Sequence, residues 1–365
     1  MAARLTAARK AQTDVIGLAR LVSPRLGLVT VSAPAPRGTI SRARLLVTTS
    51  SGSRFTEIGP QLPGETRVDD LQFLDRRLGW VVVWSVATVG VTVYRTSDGG
   101  QSWQSAAVTH HTQGAGAVAT VQFLTPKKGW LANQEPTAPA ARLFATSDGG
   151  ASWRPVGSLL PEIAPVEFAS PSDAWQAGGS FSRSLFHSTN GGRSWTRVRL
   201  PLPVRERPPA ALYGQPALFG REILAPVTFL HRGRVEFAVF RSVDDGNSWR
   251  LAGRLETVTR ASQQRDCRIF DDLPAPLPIS LASAKGWWVG IHRSGGWFVY
   301  RTVNAGRSWQ RSLVARTRPP AWCPSLAELQ AVDNRTAWFT LLTGGSNKLY
   351  ATDDGALHWQ RLRPP

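Results

Sequence analysis

Cysteine occurs twice in the 365 residues, methionine once and tyrosine four times, and lysine supplies only 5 of the 43 basic residues. No stretch reaches the roughly 18 apolar residues of a membrane-crossing helix, yet 42% of the chain is hydrophobic and can bury a sizeable core. Histidine is too scattered for a metal centre. His187, His231, His292 and His358 stand alone, and the adjacent His110 and His111 read as a solvated loop. Neither a Gly-x-Ser-x-Gly elbow nor a glycine loop opening a helix is present, which removes the usual nucleophile and phosphate cradles. No cofactor and no metal are expected. Helix is expected to be scarce, because 33 Gly and 26 Pro interrupt every apolar segment. Acid is scarce too: 25 acidic residues face 43 basic ones, for a net charge of +18. Such a surface favours anionic partners. The basic runs are not interleaved with aromatics and match no nucleic-acid module, so nucleic acid is not expected among them.

What the chain does have is repetition. "YRTSDGGQSW" (94–103) returns as "FATSDGGASW" (144–153), "FHSTNGGRSW" (186–195), "FRSVDDGNSW" (240–249), "YRTVNAGRSW" (300–309) and "YATDDGALHW" (350–359). A faded copy, "LVTTSSGSRF", lies at 46–55. The anchoring hydroxyls, Thr48, Thr96, Thr146, Ser188, Ser242, Thr302 and Thr352, are separated by 48, 50, 42, 54, 60 and 50 residues. Upstream of each box runs a second repeat, clearest in "LQFLDRRLGWVVV" (71–83), "VQFLTPKKGWLAN" (121–133) and "VEFASPSDAWQAG" (166–178). Each upstream unit reads as strand, polar turn, strand, and the box adds a third strand, a tight turn and a fourth. A period near 50 indicates stacked units, and seven of them use almost the whole chain. The expected fold is all-β: a seven-bladed β-propeller of four-stranded antiparallel blades. Blades are expected near 16–60, 65–113, 116–160, 161–208, 209–254, 255–315 and 316–362, with 1–15 as an N-terminal extension and 16–365 as one propeller domain.

The box residues suit a turn. Glycine supplies the positive φ, a short Asp or Asn side chain bonds the turn's own amides, and the hydroxyl ties the incoming strand to them. The indole then covers the space between neighbouring units. On this reading Thr96, Asp98, Gly100 and Trp103 are structural. So are Thr146, Asp148, Gly150 and Trp153; Ser188, Asn190, Gly192 and Trp195; Ser242, Asp244, Gly246 and Trp249; Thr302, Asn304, Gly306 and Trp309; and Thr352, Asp354 and Trp359. Of the 15 tryptophans, six are box residues and five more occupy a repeated "GW" or "AW" position: Trp80, Trp130, Trp175, Trp287 and Trp338. Trp84, Trp288, Trp297 and Trp322 fall outside the repeat.

These boxes resemble the Asp-box, or bacterial neuraminidase repeat, S/T-x-D-x-G-x-S/T-W, over about residues 16–362. With the upstream "F-x(5)-GW" they look most like the photosystem II stability/assembly factor family and its relatives in non-photosynthetic bacteria. Sortilin-type receptors, xyloglucan-cleaving endoglucanases and sialidases are more distantly similar. The resemblance implies a non-catalytic scaffold that assists assembly through its propeller surface. The alternative it carries is a sialidase-like or other glycoside hydrolase. A sialidase needs an arginine triad and a Tyr–Glu nucleophile pair, but Tyr94, Tyr300 and Tyr350 belong to box strands, leaving Tyr213. The arginine-isoleucine-proline signature is absent. Paired carboxylates for another glycosidase are found only loosely, in Asp266, Asp271 and Asp272.

A binding surface is expected on the rim opposite the boxes, where the second-to-third-strand loops and the blade-to-blade connections vary in length. Arg205, Arg207, Arg232, Arg234, Arg260, Arg265, Arg268, Arg293, Arg316 and Arg318 fall there, and guanidinium forks hold carboxylates or phosphates bidentately. The expected partner is a protein or an anionic envelope component, and the chain is expected to be a monomer. Cys267 and Cys323, the only cysteines, fall in neighbouring connections on that rim and are expected to form a disulfide. That points to work outside the cytoplasm, in secretion or the cell envelope. The N-terminal stretch has no continuous apolar core and is not a signal peptide as given, which suggests an internal start.

Overall fold

Each repeat closes on itself as an antiparallel sheet, and the sheets follow one another in sequence order. The computed structural model describes residues 15–33, 42–64, 66–86, 90–109, 118–134, 141–161, 164–177, 184–203, 211–259, 277–293, 295–317, 326–342 and 347–365. Among these there is no helix. Blade 1 is β1 (Val15–Leu21), β2 (Gly27–Ser32), β3 (Ala43–Thr48) and β4 (Thr56–Glu57); blade 2 is β5 (Thr66–Phe73), β6 (Gly79–Ser85), β7 (Gly90–Thr96) and β8 (Gln104–Thr109). Blade 3 comprises β9 (Val118–Phe123), β10 (Gly129–Gln134), β11 (Ala141–Thr146) and β12 (Arg154–Leu160). Blade 4 comprises β13 (Val166–Phe168), β14 (Ala174–Gln176), β15 (Leu185–Ser188) and β16 (Thr196–Val198). Blade 5 has five strands: β17 (Ala211–Tyr213), β18 (Ala217–Phe219), β19 (Glu222–His231), β20 (Arg234–Ser242) and β21 (Arg250–Thr259). Blade 6 is β22 (Ile279–Leu281), β23 (Trp287–Arg293), β24 (Gly296–Thr302) and β25 (Gln310–Arg316), and blade 7 is β26 (Leu326–Ala331), β27 (Ala337–Leu342), β28 (Lys348–Thr352) and β29 (Gln360–Leu362).

Three expectations need correction. Blade 5 was expected to end at 254, but β21 continues to Thr259, so that boundary cuts a strand. Its first strand is also split, because β17 pairs with the far half of β19 and β18 with the near half. The interruption falls at Gly214–Pro216, where proline withholds a ladder donor. The third correction concerns tryptophan. Trp80 pairs across the ladder with Gln72 and Arg95, and the residue in that register in blade 6 is Trp288, which pairs with Ser280 and Arg301. Trp288 therefore belongs to the repeat, and Trp287 stands where blade 2 has Gly79.

The core lies between sheets. Trp80, Val82, Val91 and Val93 of blade 2 bury against Val121, Phe123 and Leu131 of blade 3, and the other gaps are filled likewise. The ring closes by the same contact: Val29 and Leu46 of blade 1 pack with Trp338, Leu349 and Leu362 of blade 7. Asn347 Nδ2 also donates to Gly17 O at 2.9 Å, and Leu21 N to Gln330 Oε1 at 2.7 Å. An isolated antiparallel bridge between Ile16 and Asn347 adds a backbone contact to these side-chain links between blades 1 and 7.

Candidate functional site

The boxes are knots, and their geometry leaves them little chemistry. In blade 2 the Thr96 hydroxyl donates to Asp98 Oδ1 (2.8 Å) and accepts from Gly100 N (2.9 Å). Asp98 in turn accepts from Ser102 N (3.0 Å) and from the Ser102 hydroxyl (2.5 Å). Those donors hold its carboxyl well below the usual carboxylate range, with the Ser102 hydroxyl contributing most. The same pattern recurs around Asp148 and Asp244, and Asn190 and Asn304 perform it uncharged. In the faded copy Ser50 substitutes for the acid: Thr48 Oγ1 still accepts from Gly52 N, and Ser50 Oγ from Arg54 N. Gly99 (φ 79°) and Gly100 (φ 91°) lie in the left-handed region as the turn requires. Each box also leans on its own first turn, as in Gly99 N to Arg77 O at 2.9 Å and Gly149 N to Lys127 O at 2.9 Å. Boxes and first turns therefore share one rim, and the second-to-third-strand loops lie on the other.

On that opposite rim, Arg232 and Arg234 sit at the β19–β20 hairpin, Arg232 with φ 51°. Arg293 and Arg316 flank Gly296 on adjacent strands of blade 6. Arg232, Arg234 and Arg316 have no ion-pair partner among the described residues. Arg293 does, since it bonds Glu256, which also accepts from Tyr300 and pairs with Arg311 at 3.3 Å. This Glu–Tyr–Arg cluster joins the outer strand of blade 5 to the outer half of blade 6, away from the axis, and works as an inter-blade clasp. Burial and the Glu256 carboxylate together raise the Tyr300 phenol above its ordinary range. Arg205, Arg207, Arg260, Arg265, Arg268, Arg318, Asp266, Asp271, Asp272 and the pair Cys267–Cys323 lie outside the described residues.

The sequence reading overlooked the axis. The first strands β1, β5, β9, β13, β22 and β26 line a cavity of about 590 Å³ containing Arg20, Asp70, Gln72, Gln122, Glu167, Ser280 and Gln330. Three glutamines act as clasps. Gln72 accepts from Phe123 N and donates to Phe123 O at 3.1 Å, Gln122 does the same to Phe168, and Gln330 bridges Leu21 N and Ala19 O. Arg20 takes this register in blade 1 and binds Asp70 (2.7 Å) and Glu328 (2.6 Å). Burial opposes its charge, but the two carboxylates outweigh it and raise its pKa. Glu167 takes the register in blade 4. Its carboxyl faces the cavity wall and accepts from Gln122 Nε2 at 3.1 Å, and burial with the nearby Asp70 pushes it up to about 7. Asp69 beside it is pushed up to about 6 by burial, against the pull of Arg67. Two adjacent acids in "VDDLQF" were the available signal, since charge is rarely placed in a core strand without a partner. Among the described residues no group of three or more His, Cys, Asp or Glu could hold a metal ion.

Seven such blades around one axis define the class: a seven-bladed β-propeller, all antiparallel. No protein-family model matches the chain, and no curated protein does. Solved structures do. YCF48 bound to a D1 peptide is similar over 97% of this chain and 95% of its own, at 13% identity and a TM-score of 0.54. YCF48 from Cyanidioschyzon merolae is similar over 94% and 96%, at 13% identity and a TM-score of 0.52. An ancestral GH74 enzyme matches 94% of this chain but only 44% of its own, at 13% identity and a TM-score of 0.53. The neighbours thus span enzymes and a peptide-bound propeller, and at these identities the likeness establishes the fold alone.

Proposed function

We propose that this propeller is a non-catalytic scaffold that binds a protein partner, meeting an anionic segment with its arginine-rich loops. One observation carries the reading: the carboxylates of Asp70, Glu222, Glu236 and Glu256 are engaged in holding the fold, whereas exposed cations are left over among the described residues. Asp70 is held by Arg20 and the amides of Leu71 and Val121, Glu222 by Arg241, Glu236 by His231 and Arg254, and Glu256 by its clasp. A glycosidase needs a free acid and base facing one substrate position. Arg232, Arg234 and Arg316, by contrast, are exposed and have no ion-pair partner among the described residues. The match in shape to YCF48 bound to a D1 peptide, over nearly the full length of both chains, supports the same reading. We place the protein outside the cytoplasm on the strength of its lone cysteine pair; both thiols recovered free from the native host contradict that placement.

The test is to pass acidic and neutral peptides over the immobilised full chain, and to assay the same protein on a fluorogenic sialoside and on xyloglucan. Salt-sensitive retention of acidic peptides without hydrolysis is expected. Turnover of either glycoside contradicts the proposal.

A further inference from the structure

On the box rim, an arginine that precedes the box hydroxyl can shut the gap to the next blade. Arg95 does so between blades 2 and 3: its NH1 donates to Asp148 O at 3.0 Å while Gln104 Oε1 holds the rest of the fork at 3.0 and 2.8 Å. Arg301 does so between blades 6 and 7, lying over Trp288 at 5.4 Å and against Gly355 of the next box. Arg241 is the equivalent residue of blade 5 and behaves differently. Glu222 holds it from within its own blade through Nε and NH2, each at 3.0 Å, and its guanidinium lies over Trp287 of blade 6. Blade 4 carries Asp173 in the register of Glu222, where it holds His187 at 3.0 Å, and the other blades carry Leu26, Leu78, Lys128, Gly286 and Thr336 there.

An open groove of about 540 Å³ lies between blades 5 and 6, against about 190 Å³ for the box-side groove at the junction of blades 7 and 1. Its charge is also distinct. The 7–1 groove is walled by Asp353, Asp354 and His358. The 5–6 groove is walled by Arg241, Arg250, Lys285 and Arg307 and, among the described residues, by no carboxylate, because the blade 6 box uses Asn304 in place of Asp. Arg250, Lys285 and Arg307 are exposed and have no side-chain partner among the described residues. Acids of blade 5 are already occupied: Glu222 holds Arg241, Asp245 pairs with Arg221 at 2.8 Å, and Asp244 accepts from Ser248. Between the cations sit two exposed apolar side chains, Leu251 at 40% and Val303 at 48%.

We propose that this groove docks a short, extended acidic peptide segment of a partner protein, its carboxylates on Arg250, Lys285 and Arg307 and its apolar side chains on Leu251 and Val303. The inference rests on the reading of the partner as a protein, and adds a second site on the rim opposite the loop arginines. The volume lies within the roughly 300–1,000 Å³ of ligand pockets. Guanidinium forks favour carboxylates, and the apolar pair rewards side chains that a free anion lacks. Among the described residues no aromatic lines the groove, so these offer nothing for bases to stack on.

The experiment is fluorescence anisotropy with a labelled short peptide alternating glutamate and leucine, titrated with the full chain. Two variants of equal charge change are compared: R250Q/K285Q/R307Q in the groove and R232Q/R234Q/R316Q on the opposite rim. All six side chains are exposed, and unchanged melting temperatures verify folding. The groove variant is expected to weaken binding by about tenfold or more, as loss of three charge-assisted contacts implies, whether or not the opposite-rim variant also weakens it. Weakening by the opposite-rim variant alone overturns the groove and leaves the proposed function standing. No binding by the unaltered protein overturns both. Inorganic phosphate competing as well as unlabelled peptide, or a single-stranded oligonucleotide binding the groove more tightly than peptide, also overturns it.

Discussion

The indole nitrogen of Trp80 donates to the carbonyl of Gly149 at 2.8 Å, across the gap between blades 2 and 3. In blade 2 a residue of the upstream repeat thereby grips the box of the following unit. The same ring stacks on Phe123 at 3.6 Å between centroids. Trp103, at the end of its own box, instead bonds backward to Ile58 O of blade 1 at 3.0 Å and is only half-buried. The inner indoles are therefore the deeper anchors. Trp80→Ala should cost about 3–5 kcal/mol, in the range of buried aromatic deletions, and Trp103→Ala about 2 kcal/mol, for its smaller buried area. Denaturant titration checks the order. An equal or larger loss at Trp103 contradicts it, as does loss of partner binding at full stability.

Glu167 gives the fold a pH dependence of known sign. Its folded value of about 7 lies above the roughly 4.3 of an unfolded chain, so the folded state holds the proton more tightly. The stability that this proton provides is complete below the unfolded value and is lost as pH rises through 7. Asp69, raised to about 6, acts in the same direction. The box acids Asp98 and Asp148 act oppositely, since their depressed values provide stability above the unfolded value that is lost as pH falls. Glu167→Gln places in blade 4 the residue that clasps in blades 2, 3 and 7. Its melting temperature should match the unaltered protein at about pH 5 and exceed it at about pH 8. A variant that melts lower at the alkaline end contradicts this account.

Arg20 is the sole cation lining the axial cavity among the described residues, and its removal leaves Asp70 and Glu328 without their shared partner. Breaking a buried pair from one side costs about 3–5 kcal/mol. Arg20→Met should fall in that range by denaturant titration, with the loss shrinking when Glu328→Gln is added. Additive losses contradict a coupled cluster.

The propeller was legible because its signal is periodic. Turn glycines, hydroxyls and indoles recur in phase, and each has one local task that sequence spacing reveals. The expected end of blade 5 at 254 falls inside β21, which runs on to Thr259, and the expected edges at 15 and 315 each miss one strand residue, Val15 of β1 and Arg316 of β25. Trp288 was missed for a related reason: "GWW" offers two candidates, and only pairing with Ser280 and Arg301 decides between them. The axial residues were illegible because their partners come from different blades. Arg20 reaches Asp70 and Glu328, 50 and 308 residues away. The role of Glu222 was hidden likewise, since its meaning lies in where it holds Arg241 and not in its own neighbours.

Hydrogen–deuterium exchange of the full chain, with and without the acidic peptide, tests the central claim of a surface-binding scaffold most directly. Protection on binding is expected at the box-side segments 250–252, 284–286 and 303–307 or at the opposite-rim arginines, with the axial strands around Asp70, Gln122 and Glu167 unchanged. Protection confined to those axial strands contradicts the account, because it places the ligand in the central cavity.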